Sequence, residues 1–416
     1  MFDIFSLPDI KFPDGFLFGA GYAGHQVEGD NVHSQYWAKE QLGKYEHVSG
    51  KACNSYELWE TDVRICEENK LGAFRTSVEW SRIEPVEGQF SKEALDHYVR
   101  LFATLKEKGI KVFATLVHFS IPLWFYDLDH FKNLDNLKYF ERYLEYVVPA
   151  IAPYVDFWNV INEFNLTSAD QKLATLRYHA LGYHIIKKYS NAPVSSAHAL
   201  VQYVPARASD RWDRAMTEYK DLCDHEFFFH AIRTGEILYP GRDGEYDASV
   251  KGTADYWSVN SYVRDMIDAR QASMNGKRYD FAKMQMIDKK FYLEEINPEC
   301  IVANLTRLTD KPIYITENGL CCNDDRFRIV FIAEYLAAVN EAIRLGADVK
   351  GYLYWSLLDN YEWGSYKPRF GLYSVDHQTF ERTAKPSAAF YREIIENNSV
   401  TSDLIKKYLN EIPTLN

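Results

Sequence analysis

The stretch Asp156-Phe157-Trp158-Asn159-Val160-Ile161-Asn162-Glu163 reads as a buried strand that ends on an ionisable group. Its apolar and aromatic residues run nearly unbroken, as in parallel strands covered on both faces, yet Asn162 and Glu163 close it. A second stretch, Pro312-Ile313-Tyr314-Ile315-Thr316-Glu317-Asn318-Gly319, repeats the pattern with Asn after the carboxylate. Outward from these two, further extended runs are predicted over 16–20, 73–80, 112–118, 193–198, 256–262 and 352–358, which makes eight.

Helical stretches alternate with them. Residues 54–70 are predicted as a helix in which Asn54 and Glu57 have capping-box spacing and which Gly72 ends. Ser91 opens another, with Leu95, Tyr98, Phe102 and Leu105 on one face and Gly109 as its stop. Helices are also expected over 173–187 and over 327–345, the latter capped by Asp324 or Asp325 and stopped by Gly346. Asn297-Pro298 opens one more, with proline at its first position. This alternation predicts an α/β fold, a single (β/α)8 TIM barrel over 1–416. Residues 206–250 and 265–295 fit it poorly and are read as loop insertions at the C-terminal face of the strands.

Composition narrows the function classes. The 416 residues carry a net charge of −12 with no basic run, which argues against nucleic acid or a membrane surface and for a small neutral ligand. The opening Met1-Phe2-Asp3-Ile4-Phe5-Ser6 has no basic and then apolar leader, and no stretch approaches the ~18 apolar residues of a membrane span, so a cytoplasmic location is expected. Six cysteines without a C-x-x-C pair fit reduced, mostly buried thiols, and the adjacent Cys321-Cys322 reads either as two small loop residues or as a redox-sensitive pair. The 12 histidines show no H-x-H or H-E-x-x-H spacing, so no metal or other cofactor is expected. Aromatics reach 15% of residues, an excess that serves core packing or stacking on sugar rings.

In a closed parallel barrel the strand C-termini converge on one face, whose loops form the site. Arg75, His118, Glu163, Tyr262, Glu317 and Trp355 all lie within or at the ends of predicted strands. Two carboxylates facing one cavity are the minimum apparatus for cleaving a glycosidic bond.

Longer motifs sharpen this. Phe12-Pro13-Asp14-Gly15-Phe16-Leu17-Phe18-Gly19-Ala20 with Gln26-Val27-Glu28-Gly29, Phe74-Arg75-Thr76-Ser77 through Trp80-Ser81-Arg82-Ile83, Thr115-Leu116-Val117-His118, Thr316-Glu317-Asn318-Gly319, and Trp355-Ser356-Leu357-Leu358-Asp359-Asn360-Tyr361-Glu362-Trp363 occur in this order. With them the chain resembles glycoside hydrolase family 1, the β-glucosidase family of retaining enzymes, over nearly its whole length. The resemblance implies Glu317 as nucleophile, held ionised by Arg75 and the Tyr262 hydroxyl, and Glu163 as acid/base. It implies Asn162 on the sugar 2-hydroxyl, Gln26, His118, Glu362 and Trp363 on the other hydroxyls of the nonreducing sugar, Trp355 beneath its ring, and Asn260 completing the set. Retention requires the two carboxyls about 5–5.5 Å apart.

The acid/base motif departs from the family's Thr-x-Asn-Glu-Pro. Val160 stands for Thr and Phe164 for Pro, so an altered polarity behind Glu163 and a reshaped loop after the strand are expected. Within the same fold the alternative is a 6-phospho-β-glycosidase, since Ser365, Tyr366 and Lys367 follow the eighth strand, although Glu362 places a negative charge where a 6-phosphate would sit. A barrel that binds sugar without catalysis is the more distant alternative. Trp124 and Phe125, after the third strand, are candidate walls of the leaving-group site. Preference among gluco, galacto and fuco sugars and the oligomeric state are not legible in the residues.

Overall fold

The computed structural model describes residues 4–270 and 296–414. All eight expected runs are strands, β1 Leu17–Gly21, β2 Ala73–Ser77, β3 Lys111–Val117, β4 Phe157–Asn162, β5 Val194–Ala199, β6 Trp257–Asn260, β7 Ile313–Asn318 and β8 Val349–Trp355. They pair in parallel in chain order and close β8 onto β1, with Tyr352 opposite Phe18, into one eight-stranded barrel. Surrounding helices include α1 Ser55–Glu68, α2 Lys92–Glu107, α3 Leu137–Ile151, α4 Ala169–Tyr189, α5 Phe227–Thr234, α6 Glu299–Thr306, α7 Asp325–Arg344 and α8 Pro386–Asn397. None among the described residues is long and apolar enough to cross a membrane.

Much of the aromatic excess is core. Inside the barrel, opposite the catalytic face, Phe113 stacks on Phe157 at 4.2 Å between ring centroids, and Phe157, Tyr256 and Tyr314 fill the lumen against Leu353. This plug makes that part of the lumen a packed core, which leaves the strand C-termini as the end that carries the site. The larger apolar cluster lies between strands and helices. On α2, Leu95, Tyr98, Phe102 and Leu105 are buried as the spacing predicts, Ser91 Oγ accepts the Ala94 N–H at 3.1 Å, and Gly109 takes the left-handed turn at φ +75°. Asp324 caps α7 by accepting from Arg326 N at 3.0 Å.

Several local expectations fail for identifiable reasons. Asn54 is itself left-handed, with φ 53°, so its side chain cannot turn back onto α1 and no capping box forms. That helix ends at Asn69 and the left-handed Lys70, with Asn69 Nδ2 donating to the Ile65 carbonyl at 2.7 Å, while Gly72 already bonds across to Phe18. The second strand stops at Ser77 because Trp80–Ile83 is a helical turn, and Pro298 sits at the cap of α6, one residue outside it. The segment 206–250 is only partly an insertion. Its α5 buries Phe227, Phe228, Phe229, Ala231 and Ile232 in the main core and serves as the barrel layer between β5 and β6. Of the expected insertion over 265–295, Arg264–Ile267 pairs with Gln202–Pro205, and 271–295 lie outside the described residues.

The two departures in the acid/base motif have packing explanations. Val160 faces α4, where a Cβ added to Gly182 would meet Val160 Cγ1 at 2.3 Å, so its side chain is packed against that helix. Phe164 is 3% exposed and packs on Phe227 and Phe228 at 6.1 and 5.4 Å, filling the space between the end of β4 and α5. All six cysteines are buried free thiols, and Cys321 Sγ accepts from Arg369 N at 3.4 Å while packing in the cluster that holds Trp355.

Candidate active site

Of the eleven expected site residues, eight line one cavity of about 420 Å³: His118, Glu163, Asn260, Tyr262, Glu317, Trp355, Glu362 and Trp363; Gln26, Arg75 and Asn162 stand behind them, joined to that lining by hydrogen bonds. Backbone pairing across neighbouring strands fixes the two carboxylates, with Glu163 N donating to Ala197 O at 2.8 Å and Ser261 N to Glu317 O at 3.0 Å. Irregular registers do the aiming. Bulges between Asn159 and Asn162 in β4 and at Asn260 in β6 turn both asparagines inward.

Glu317 is 4% exposed and grasped from two sides: Arg75 Nη1 donates to its Oε1, and Tyr262 Oη donates to its Oε2 at 2.7 Å. Arg75, itself 1% exposed, donates from Nη2 to Asn162 Oδ1 at 2.6 Å and from Nε to Thr115 Oγ1 at 3.2 Å. Asn162 Nδ2 in turn donates to His118 Nε2 at 3.2 Å, and that nitrogen lies 4.0 Å from Glu317 Oε1. Burial, and next Arg75, push the His118 imidazole well below its ordinary pKa. His118 is therefore a neutral acceptor there, and its carboxylate contact is not an ion pair.

Glu163 stands in different surroundings. Its backbone is left-handed at φ 48°, and its Oε1 accepts from Asn260 Nδ2 at 2.9 Å. Removal from bulk water first, and the charge of Glu317 second, push its pKa up to about 8, with the Asn260 hydrogen bond and Arg75 opposing. Asn260 Nδ2 also reaches Asn162 Oδ1 at 3.1 Å, and its Oδ1 accepts from Thr316 Oγ1 at 2.8 Å. One chain of hydrogen bonds thus runs Glu163, Asn260, Asn162, Arg75, Glu317. The two glutamates share a cavity yet differ in partners, the condition for giving two carboxylates two roles.

At the far end Gln26, fully buried in the turn Gly24–Val27, donates from Nε2 to Asn360 Oδ1 at 3.1 Å and to Glu362 Oε2 at 3.0 Å, while its Oε1 is buried without a partner. Trp363, left-handed at φ 42°, stacks near His118 and His25 at 6.0 Å from each, and Trp355 lies 5.8 Å from His118 on another side. An array of hydroxyl-length acceptors and donors between flat indole faces suits a sugar ring. Among the described residues no group of three or more His, Cys, Asp or Glu is placed to hold a metal ion.

The structure removes two expected wall residues. Phe125 is fully buried against Trp80 at 4.5 Å, and Trp124 turns its Nε1 to the Glu84 carbonyl at 2.9 Å, so neither lines the cavity. The walls are Tyr36, Phe119, Leu166, Ala199, Val201, Val263 and Phe370, which the sequence reading did not select. Only Phe119, adjacent to His118 at a strand end, carried a local signal. Ser365 and Lys367 instead bind Glu46, Tyr366 donates to the Ser49 carbonyl, and none of the three lines the cavity.

Comparison with known proteins agrees with this geometry. A 6-phospho-beta-galactosidase of Leptotrichia buccalis is 26% identical over 465 aligned positions, covering 94% of this chain and 99% of that one. The solved beta-glycosidase from Pyrococcus horikoshii is 32% identical with a TM-score of 0.86, covering 97% of this chain and 99% of the other. A Thermotoga maritima family 1 glycoside hydrolase complexed with a cyclophellitol analogue transition state mimic is 25% identical at the same TM-score, over 94% and 99% of the two chains. The profile of glycosyl hydrolase family 1 matches residues 9–220 and 172–400. With the barrel, the paired glutamates and these matches together, the chain belongs to glycosyl hydrolase family 1 and is an O-glycosyl hydrolase.

Proposed function

We propose that this enzyme is a retaining, exo-acting β-glycosidase that removes the nonreducing terminal sugar of small β-glycosides, with β-glucosides as its first substrates and β-galactosides and β-fucosides as further ones. The observation that carries the proposal is the contrast between Glu317, bonded to Arg75 and Tyr262, and Glu163, whose pKa is pushed up beside it. In the first step a Glu317 carboxylate oxygen attacks the anomeric carbon while the bond to the leaving oxygen breaks and Glu163 supplies its proton to that oxygen. In the second, Glu163, now ionised, takes a proton from water, whose oxygen displaces Glu317 from the same carbon. Two inversions retain the configuration. Asn162, His118, Gln26, Glu362, Trp363, Trp355 and Asn260 are the proposed contacts to the sugar.

The barrel sheet takes strands from Leu17 to Trp355, which supports reading 1–416 as one catalytic domain. Six buried thiols suit a reducing, cytoplasmic setting.

A second reading, a 6-phospho-β-glycosidase, draws on the name of the Leptotrichia relative and on Ser365, Tyr366 and Lys367. The free-sugar reading is preferred because Glu362, not these three, lines the cavity, and because Lys367 already meets the Glu46 carboxylate. Turnover of 4-nitrophenyl β-glucoside against its 6-phosphate separates the two, and a higher kcat/KM for the phosphate refutes the preferred one. The anomeric form of the first-released sugar, followed by proton NMR, tests retention: initial release of the α-anomer refutes it.

A further inference from the structure

A second cavity, of about 290 Å³, adjoins the first and shares Tyr36 and Phe119 with it. Its lining includes Asn162 and Phe164, the two residues that flank Glu163. Three observations set it apart from an ordinary packing gap.

The first is charge. The chain has a net charge of −12 and the catalytic cavity holds three glutamates, yet no Asp or Glu lines this crevice, while Lys39 does. Lys39 Nζ lies 4.4 Å from the Tyr126 ring centroid and 5.6 Å from that of Tyr36, and among the described residues it makes no ion pair. The second is an orphaned polar atom. His130, stacked on Tyr126 at 5.3 Å, also lines the crevice, and its Nδ1 is buried with no hydrogen-bond partner. Burial, and next Lys132, hold its pKa down to about 4, so the ring is neutral. The third is strain. Phe119 at φ 62°, Asp129 at φ 67°, His130 at φ 36° and Glu163 at φ 48° are all left-handed non-glycine residues on or beside this crevice. Such backbone persists where surrounding structure over-determines it, as at ligand clamps.

A lone cation, an unsatisfied ring nitrogen and aromatic walls, with the Gln171 amide alongside, match a flat or pyranose ring carrying a carboxylate. We propose that this crevice is a binding subsite for a carboxylate-bearing ring, with the carboxylate at Lys39. The ring is either the leaving group of a β-glycoside or a separate small acid.

The test compares kcat/KM for 4-carboxyphenyl and 4-carbamoylphenyl β-D-glucoside in the wild type, Lys39→Met and Lys39→Arg. In parallel, 4-hydroxybenzoate and its amide are titrated calorimetrically into the same three proteins. The glycoside arm rests on the free-sugar reading above, whereas the titration arm does not. Lys39→Met is expected to lower the acid-to-amide ratio about tenfold, the worth of one charge-assisted hydrogen bond, and Lys39→Arg to keep it. A shift in the glycoside ratio assigns the subsite to the leaving group; a shift confined to the titration assigns it to a free acid. Ratios independent of Lys39 in both arms, or equal losses for acid and amide, overturn the proposal. No turnover of either glucoside would refute the free-sugar reading and leave the titration to judge the crevice.

Discussion

Replacing Glu163 by Gln should stabilise the protein at alkaline pH while disabling it. The carboxyl's pKa rises from 4.5 to about 8 in the folded protein, chiefly through loss of hydration and then through Glu317. Between those values the folded protein holds a proton that the unfolded chain has released. The stability present below pH 4.5 is therefore lost as pH climbs toward 8. The full shift corresponds to a penalty of roughly 4 kcal/mol at pH 8 against about 1 kcal/mol at pH 5. The carboxyl is partly open to cavity water, so a difference of about 2–3 kcal/mol between the two pH values is the expected measure. Gln cannot ionise, and its amide oxygen can still accept from Asn260. Urea unfolding of wild type and Glu163→Gln at pH 5 and pH 8 reads this directly: near equality at pH 5, a more stable variant at pH 8. A stability difference that does not change with pH would refute the argument that burial and Glu317 hold the proton on Glu163. The same ionisation sets the basic limb of kcat/KM, which should fall above about pH 8 in the wild type.

Three further substitutions probe the supports of the site. Gly182→Ala places a Cβ 2.3 Å from Val160 Cγ1, and overpacking of this kind should cost about 1–3 kcal/mol in urea unfolding, a cost that Val160→Ala in the same chain should largely relieve. Val160→Thr restores the hydroxyl of the family motif, but on the face packed against α4; it should lose about 1–3 kcal/mol of stability and leave the pH dependence of kcat/KM unmoved, so a displaced basic limb would contradict the outward orientation. Trp124→Phe removes the bond to Glu84 O and should lower stability by about 1 kcal/mol without changing relative rates across aryl and alkyl leaving groups; altered selectivity would return Trp124 to the cavity wall.

What could be read from the chain was what local composition encodes. The eight strands are short apolar runs that need no partner to be recognised, and Glu163 and Glu317 stand out because each closes such a run with a charge. The walls of the cavity have no such local cause. Ala199 and Val201 are held in place by side chains distant in sequence: Asn165 bonds both the N and O of Ala199, Asn304 donates to the Leu200 carbonyl at 2.8 Å, and His225 donates to the Val201 carbonyl at 2.9 Å. Trp124 follows the third strand in sequence, yet its position is decided by the Glu84 carbonyl, 40 residues away.

Val160 shows most clearly where periodicity stops being a guide. Alternation along a strand puts residues two apart on the same face, so counting back from the inward Asn162 places Val160 inside, behind Glu163. Counting forward from Asn159, whose Oδ1 accepts from the lumen residue Tyr256 at 3.2 Å, places it outside. Both counts are sound, and they disagree because the register slips between Asn159 and Asn162. A slip of one residue exchanges the faces of everything beyond it. The irregularity that aims Asn162 at Arg75 is therefore the same one that frees position 160 from the catalytic chemistry, so that a valine there answers to Gly182 on α4 and not to the proton on Glu163.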